Sequence, residues 1–188
     1  MVRWQPKALI AEVFADLEVR GIVHRELVGH PDWLELDRGT LTPDAAAGRA
    51  ARRTGLSQRE ILDFLWRVPA SLVAIPATVE LLYRLRSRGH LLYCLSNMHL
   101  ASIEHLEKAY TFWNVFSGKV ISCRLNLCKP EPEIYTHLLE SYQLDPTKTV
   151  FIDDVEVNLT AARQFGIQTI RFESPCQCAS QLTTLGCV

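Results

Sequence analysis

TVFIDDVEVNLTAARQFGIQTIRF (149–172) decides the fold. TVFID (149–153) is a short, unbroken apolar run ending in a carboxylate, the pattern of a strand covered on both faces. VNLTAARQF (157–165) follows with its apolar residues at helical spacing and is stopped by Gly166. IQTIRF (167–172) returns to strand character. Strand, helix and strand in such short succession make a βαβ unit, whose two strands must run parallel.

The alternation continues upstream. Pro76 opens a helix through Leu81, Leu82 and Leu85, with Gly89 as its stop. LLYCL (91–95) is a second buried-strand run, followed by a helix over about 100–110. KVIS (119–122) reads as another strand and PEPEIYTHLLESY (130–142) as another helix. Residues 76–172 therefore predict an α/β core, a doubly wound, Rossmann-like parallel sheet. Residues 1–75 read as helices only: Leu9, Ile10, Val13, Phe14 and Leu17 share one helical face. Thr42 before Pro43 is a helix start, and Ser57 with Glu60 has capping-box spacing ahead of Ile61, Leu62 and Leu65. Pro69 closes that helix. Residues 173–188 carry little charge or periodicity and predict a loose C-terminal tail.

Bulk properties narrow the function classes. The chain has 188 residues, 48% of them apolar and 22% charged, with a net charge of −1. That balance gives no electrostatic footprint for nucleic acid or a membrane surface. No apolar run approaches the roughly 20 residues that cross a bilayer, and the N-terminus has no secretory pattern. Cys94, Cys123, Cys128, Cys176, Cys178 and Cys187 form no CxxC pair, so they read as reduced thiols of a cytoplasmic protein.

In parallel sheets, ligands bind beyond the carboxyl ends of the strands. After LLYCL come Ser96 and Asn97; after KVIS a loop leads to Lys129; TVFI is followed by Asp153 and Asp154. A hydroxyl, an ammonium and two carboxylates on one rim suit a phosphoryl group beside a divalent cation. Carboxylate oxygens hold Mg²⁺, lysine neutralises phosphate, and hydroxyl and backbone N–H groups bind phosphate oxygens. Other polar residues read as structural: His99 as a surface residue at a helix start, Trp33 and Trp66 as packing groups of the helical lobe, Arg49, Arg52 and Arg53 as a solvated basic face.

CLSN, CKPEPEIY and FIDDVEVN, in that order, resemble the second, third and fourth motifs of the haloacid dehalogenase-like hydrolase superfamily. The likeness is to its phosphatase branch, including sugar-phosphate phosphatases and the phosphatase domain of soluble epoxide hydrolase. It covers about residues 76–172, and the helical front part is similar to the family's small cap. The resemblance implies that Ser96 binds the phosphoryl oxygens, that Asn97 supports it or touches substrate, and that Lys129 stabilises the phosphoryl charge. It implies that Asp154 ligates Mg²⁺ directly, that Asp153 assists through water, and that Asn158 braces the metal site. The substrate so implied is a small phosphorylated metabolite.

The family's first motif, a central strand ending in the nucleophilic aspartate, is not found in the chain; MVRWQPKALI resembles the segment just after it. Asp16, Asp32, Asp37 and Asp44 follow helical or loop sequence and do not replace it. Loss of that strand removes buried apolar side chains worth roughly 10 kcal/mol together, comparable to a domain's whole stability. The expectation is thus a Mg²⁺-dependent phosphatase working through an aspartyl-phosphate, inactive as it stands because its start is misplaced or truncated. The alternatives are a non-catalytic binding protein of the same fold and a 2-haloacid dehalogenase. The carboxylate pair favours phosphate over halide, since dehalogenation requires no metal ligands.

Overall fold

The fold is described from a computed structural model covering residues 1–188. Strand β1 (Val2–Arg3) leads into helices α1 (Pro6–Val13), α2 (Leu17–Val23, running on into a π turn at His24–Val28), α3 (Pro31–Arg38), α4 (Pro43–Thr54) and α5 (Gln58–Ser71). Strand β2 (Val73–Ala74) and helix α6 (Pro76–Ser87) follow. The remainder is β3 (Tyr93–Ser96), α7 (Leu100–Ala109), β4 (Gly118–Ile121), α8 (Ser122–Leu125), α9 (Pro132–Ser141), β5 (Val150–Asp153), α10 (Glu156–Arg163), β6 (Gln168–Arg171) and α11 (Pro175–Thr184).

The helical lobe forms where local chemistry directs it. Thr42 accepts the Ala45 N–H ahead of Pro43, and Ser57 and Glu60 complete a reciprocal capping box at the start of α5, an arrangement that satisfies N–H groups the helix cannot pair itself. Leu9, Ile10, Phe14, Val23, Leu27, Ile61, Phe64 and Val68 bury together as its core. The front part is not wholly helical, however: β1 pairs antiparallel with β2, Val2 opposite Ala74. Two-residue strands are too short to show a period in the sequence. Pro69 also lies inside the last turn of α5, which ends at Ser71.

In the α/β part, β3 pairs parallel with β4, and β5 parallel with β6. The two pairs are not hydrogen-bonded to each other. The Rossmann-like sheet is thus split between β3 and β5, where the sequence reading assigned a central strand that it did not find. One apolar cluster, around Ile103, Leu106, Trp113 and Ile121, covers one face of β3–β4; a second, around Val120, Ile134, Tyr135 and Ile167, spans both halves, with Leu95 of β3 and Phe151 of β5 packed against it.

Residues 173–188 are not a loose tail. Ser174 accepts the Gln177 N–H, Pro175 takes the first helical position, and α11 runs to Thr184. Cys178 and Leu182, one helical turn apart, bury against Leu81 and Leu85 of α6 and Ile170 of β6. Two apolar residues in a polar helix are too few for a periodic signal, yet they suffice to dock it.

Candidate active site

Asp153 ends β5, paired with Arg171, and Ser96 ends β3, paired with Ile121. Both sit where parallel strands release the chain into loops. Lys129 stands in the loop between α8 and α9 and reaches both half-sheets. Its ammonium donates to the Leu95 carbonyl (3.1 Å) and to Asp153 Oδ2 (2.6 Å). The side chains of this ion pair are only 10% and 6% exposed, so it is a desolvated contact, not a surface one. Leu95 O has no strand partner on the side where the sheet is split, and the lysine supplies its donor.

The residues around Lys129 fix it closely. Asn97 Nδ2 donates to the Lys129 carbonyl (2.9 Å), and the Lys129 N–H donates to Asn97 Oδ1 (2.8 Å). Asp153 Oδ1 accepts the Val155 N–H (2.8 Å) and Asn158 Nδ2 (3.1 Å). Asn158 is placed by Tyr135, whose hydroxyl donates to the Asn158 carbonyl (2.8 Å). Ser96 Oγ donates only weakly, to the Asn97 carbonyl at 3.4 Å. Asn97, Lys129, Asp153 and Asn158 thus form one hydrogen-bonded chain, with Ser96 adjoining it. Asp154 lies outside this chain: it is exposed beside Asp153. No group of three or more His, Cys, Asp or Glu side chains converges to hold a metal.

Helix α7 begins directly after this region, with His99 at its N-cap and no side chain closing its first turn. Its free N–H groups and positive end favour an anion nearby. His99 itself corrects the sequence reading. It is 9% exposed, contacts Ser102 Oγ through Nε2 (3.3 Å) and packs on Trp33, which stacks on Trp4. Burial lowers its pKa to about 4, so the ring is neutral at physiological pH.

Trp66 is 74% exposed and so does not pack as expected. Of the three arginines expected on a solvated face, Arg52 is exposed as expected, whereas Arg53 and the half-exposed Arg49 bind buried Asp32, at 2.8 and 3.1 Å. Burial alone would raise the Asp32 pKa, but the hydrogen bonds from Arg53 and Arg49 hold it below the ordinary carboxylate range.

One residue that the sequence reading set aside comes to this region. Asp37, in the last turn of α3, accepts from the Ser122 hydroxyl at its backbone carbonyl and is half-buried near the His99 backbone N–H and the Lys129 ammonium. Burial raises its pKa to about 7, with those two groups opposing the shift. Nothing in the local pattern DRG (37–39) announces such a placement, because it depends on α3 docking against a loop some ninety positions later.

A family model described as haloacid dehalogenase-like hydrolase matches residues 5–166. The sesquiterpene phosphatase astK of Aspergillus oryzae is 24% identical over 86% of this chain and 83% of its own length. Bifunctional epoxide hydrolase 2 of mouse is 42% identical, but over 29% of this chain and 10% of that protein. Among solved structures, a HAD family enzyme from Bacteroides thetaiotaomicron shares the fold at TM-score 0.71, with 24% identity over 92% of this chain and 88% of that one. An aspartate-to-alanine mutant of that enzyme, in complex with magnesium and inorganic phosphate, aligns at TM-score 0.63 with 27% identity, over 75% of this chain and 72% of its own.

Proposed function

Since the chain belongs to the haloacid dehalogenase-like hydrolases, we propose that its rim binds the phosphoryl group of a small phosphorylated metabolite together with Mg²⁺, in the manner of a Mg²⁺-dependent phosphatase. The observation that carries the reading is the ion pair of Lys129 with Asp153, at 2.6 Å and nearly dry, set beside the Ser96–Asn97 turn. A lysine ammonium held in place by a buried carboxylate is a fixed point charge for a phosphate oxygen. The Ser96 hydroxyl has only a weak internal bond to give up, and turns to donate to a second oxygen. Asn97 fixes the Lys129 backbone, and Asn158 keeps Asp153 aimed at the ammonium.

The donor set fits Mg²⁺ and not a cage-bound metal. Asp154 is a free, exposed carboxylate beside Asp153, and Mg²⁺ is commonly held by one or two carboxylates, with water and phosphate completing its shell. Asp154 would hold it directly and Asp153 through water. Bound there, Mg²⁺ supplies charge neutralisation between carboxylate and phosphoryl oxygens. The carboxylate pair also weighs against dehalogenation, which does not require it.

Hydrolysis through an aspartyl-phosphate requires a further carboxylate in line with phosphorus. Only β5, of the six strands, ends in a carboxylate, and Asp153 is already committed to Lys129 and Asn158; Asp37, the other carboxyl near Lys129, is pushed toward its neutral, non-nucleophilic form by burial. We therefore infer that residues 1–188 bind phosphate without turning it over, as a non-catalytic relative would. The six unpaired thiols support a reducing, cytoplasmic setting; no helix is long and apolar enough to cross a membrane.

Calorimetric titration with inorganic phosphate, with and without Mg²⁺, tests the binding. Phosphate should bind in the presence of Mg²⁺, and Asp154→Asn should remove the Mg²⁺ dependence. Indifference to both overturns the proposed site. With p-nitrophenyl phosphate and Mg²⁺ we expect no hydrolysis above background. Activity abolished by Asp154→Asn would refute the inferred inactivity and require a nucleophile elsewhere in the chain.

A further inference from the structure

Helix α5 turns one face inward and leaves the other bare. Ile61, Phe64, Leu65 and Val68 bury in the core of the helical lobe. On the opposite side Leu62 is half-buried, and Asp63, Trp66, Arg67 and Ala70 are exposed. Leu62, Trp66 and Ala70 recur every four residues and make an apolar row; Asp63 and Arg67 make a charged row beside it. Tryptophan is on average largely buried, and it carries much of the energy where proteins meet, so a Trp66 that is 74% exposed marks this face. Arg67 does not bond Asp63 one turn away. It reaches Glu12 of α1 instead, at 3.6 Å with both side chains more than half exposed, and Asp63 is left without a cation.

We propose that this face is a self-association surface: α5 of one copy packs antiparallel on α5 of a second copy, about a two-fold axis level with Phe64 and Leu65. A two-fold axis perpendicular to the helices reverses their direction but keeps each row facing its counterpart. Asp63 then stands opposite Arg67 of the second copy, and Arg67 opposite Asp63. In the neighbouring row Trp66 covers Leu62 of the second copy, once on each side of the axis. Both pairings lie within about 1.5 Å, one residue of helix, of direct opposition. A parallel pair would set Asp63 against Asp63 and Arg67 against Arg67, so charge selects the antiparallel one. One helix on its copy makes a small interface, which predicts micromolar association and not an obligate dimer. None of Ser96, Asn97, Lys129, Asp153 and Asp154 belongs to this face, so self-association is independent of phosphate binding.

Sedimentation equilibrium on the 188-residue protein, from about 1 μM to about 1 mM, reads the mass directly. The expected result is a rise from 21.3 kDa toward twice that mass as concentration increases. Trp66→Ala should weaken the dimer by about tenfold or more. Asp63→Arg sets like charges opposite each other at two places and should weaken it by about as much. Asp63→Arg with Arg67→Asp restores opposite charges across the axis and should return the affinity to within about threefold of wild type. All three positions are exposed, so the fold should persist, and far-ultraviolet circular dichroism checks that it does. A protein that stays monomeric to about 1 mM overturns the proposal and leaves the face to a different partner. A dimer indifferent to either single substitution overturns it as well, since its interface then lies elsewhere. Were Asp63→Arg to weaken the dimer with no recovery in the double variant, the antiparallel pairing would fall.

Discussion

Replacing Lys129 with methionine keeps most of the side chain's length and removes its charge. The ammonium now bonds Asp153 Oδ2 at 2.6 Å and the Leu95 carbonyl at 3.1 Å, and both members of the ion pair are almost fully buried. Without it, Asp153 is a buried carboxylate with only the Val155 N–H and Asn158 left to bond. Removing one partner of a buried pair costs about 3–5 kcal/mol, since the survivor stays desolvated and uncompensated. The two remaining donors place Lys129→Met at the lower end, about 3 kcal/mol. For a chain of this size that is a fall of about 6–12 °C in Tm. Removing the survivor's charge as well should recover much of the loss, so Lys129→Met with Asp153→Asn should be more stable than Lys129→Met alone. Urea unfolding followed by circular dichroism measures all three variants against wild type. Were Lys129→Met to unfold within about 1 kcal/mol of wild type, the typical effect of an unexceptional substitution, the pair would not be the dry bridge between half-sheets described here.

Two other measurements probe the junction between lobe and core. His99, lowered by burial to about 4, contributes stability that is present above its unfolded value and is lost as pH falls from about 6.5 toward 4. Asp37, raised by burial to about 7, has the opposite sign: its contribution is greatest below pH 4 and is lost as pH rises toward 7. Between pH 4 and 6.5 the two slopes oppose each other, so wild-type stability should be nearly level, whereas Asp37→Asn should lose stability as pH falls and His99→Gln as it rises. Urea midpoints at pH 5 and 6.5 read this directly, and an Asp37→Asn variant as level as wild type would contradict it. Gly39→Ala meets both a left-handed backbone and the Cys123 carbonyl, whereas Gly55→Ala, at φ +74°, meets nothing within 4 Å. Gly55→Ala should therefore cost about 1 kcal/mol and Gly39→Ala clearly more; equal Tm losses would show that α3 does not press on the core as described.

Much of the fold was legible because it is local. Unbroken apolar runs such as TVFI mark strands covered on both faces, and stops such as Gly89 and Gly166 do adopt positive φ. The caps at Thr42 and Ser57 act within one turn of themselves and appear where their residue types predict. Much of the candidate site was legible for a related reason: the end of a strand is a place in the sequence as well as in space, so Ser96 and Asp153 could be assigned to a rim before any coordinates. What a polar side chain does once there is not local. Lys129 finds Asp153 and Leu95 across a split in the sheet, His99 is buried and neutral under Trp33, and Arg49 and Arg53 turn inward onto Asp32. The docking of α11 through Cys178 and Leu182 likewise depends on a surface made by α6 and β6. Asp37 is the sharpest case: its own segment reads as an ordinary helix end, and it is buried near Lys129 only because Arg38, Gly39 and their distant partners hold that end against the core. Hydrophobic period and capping chemistry are written within a few residues, whereas burial and charge pairing are set by whichever chain segments fold over them.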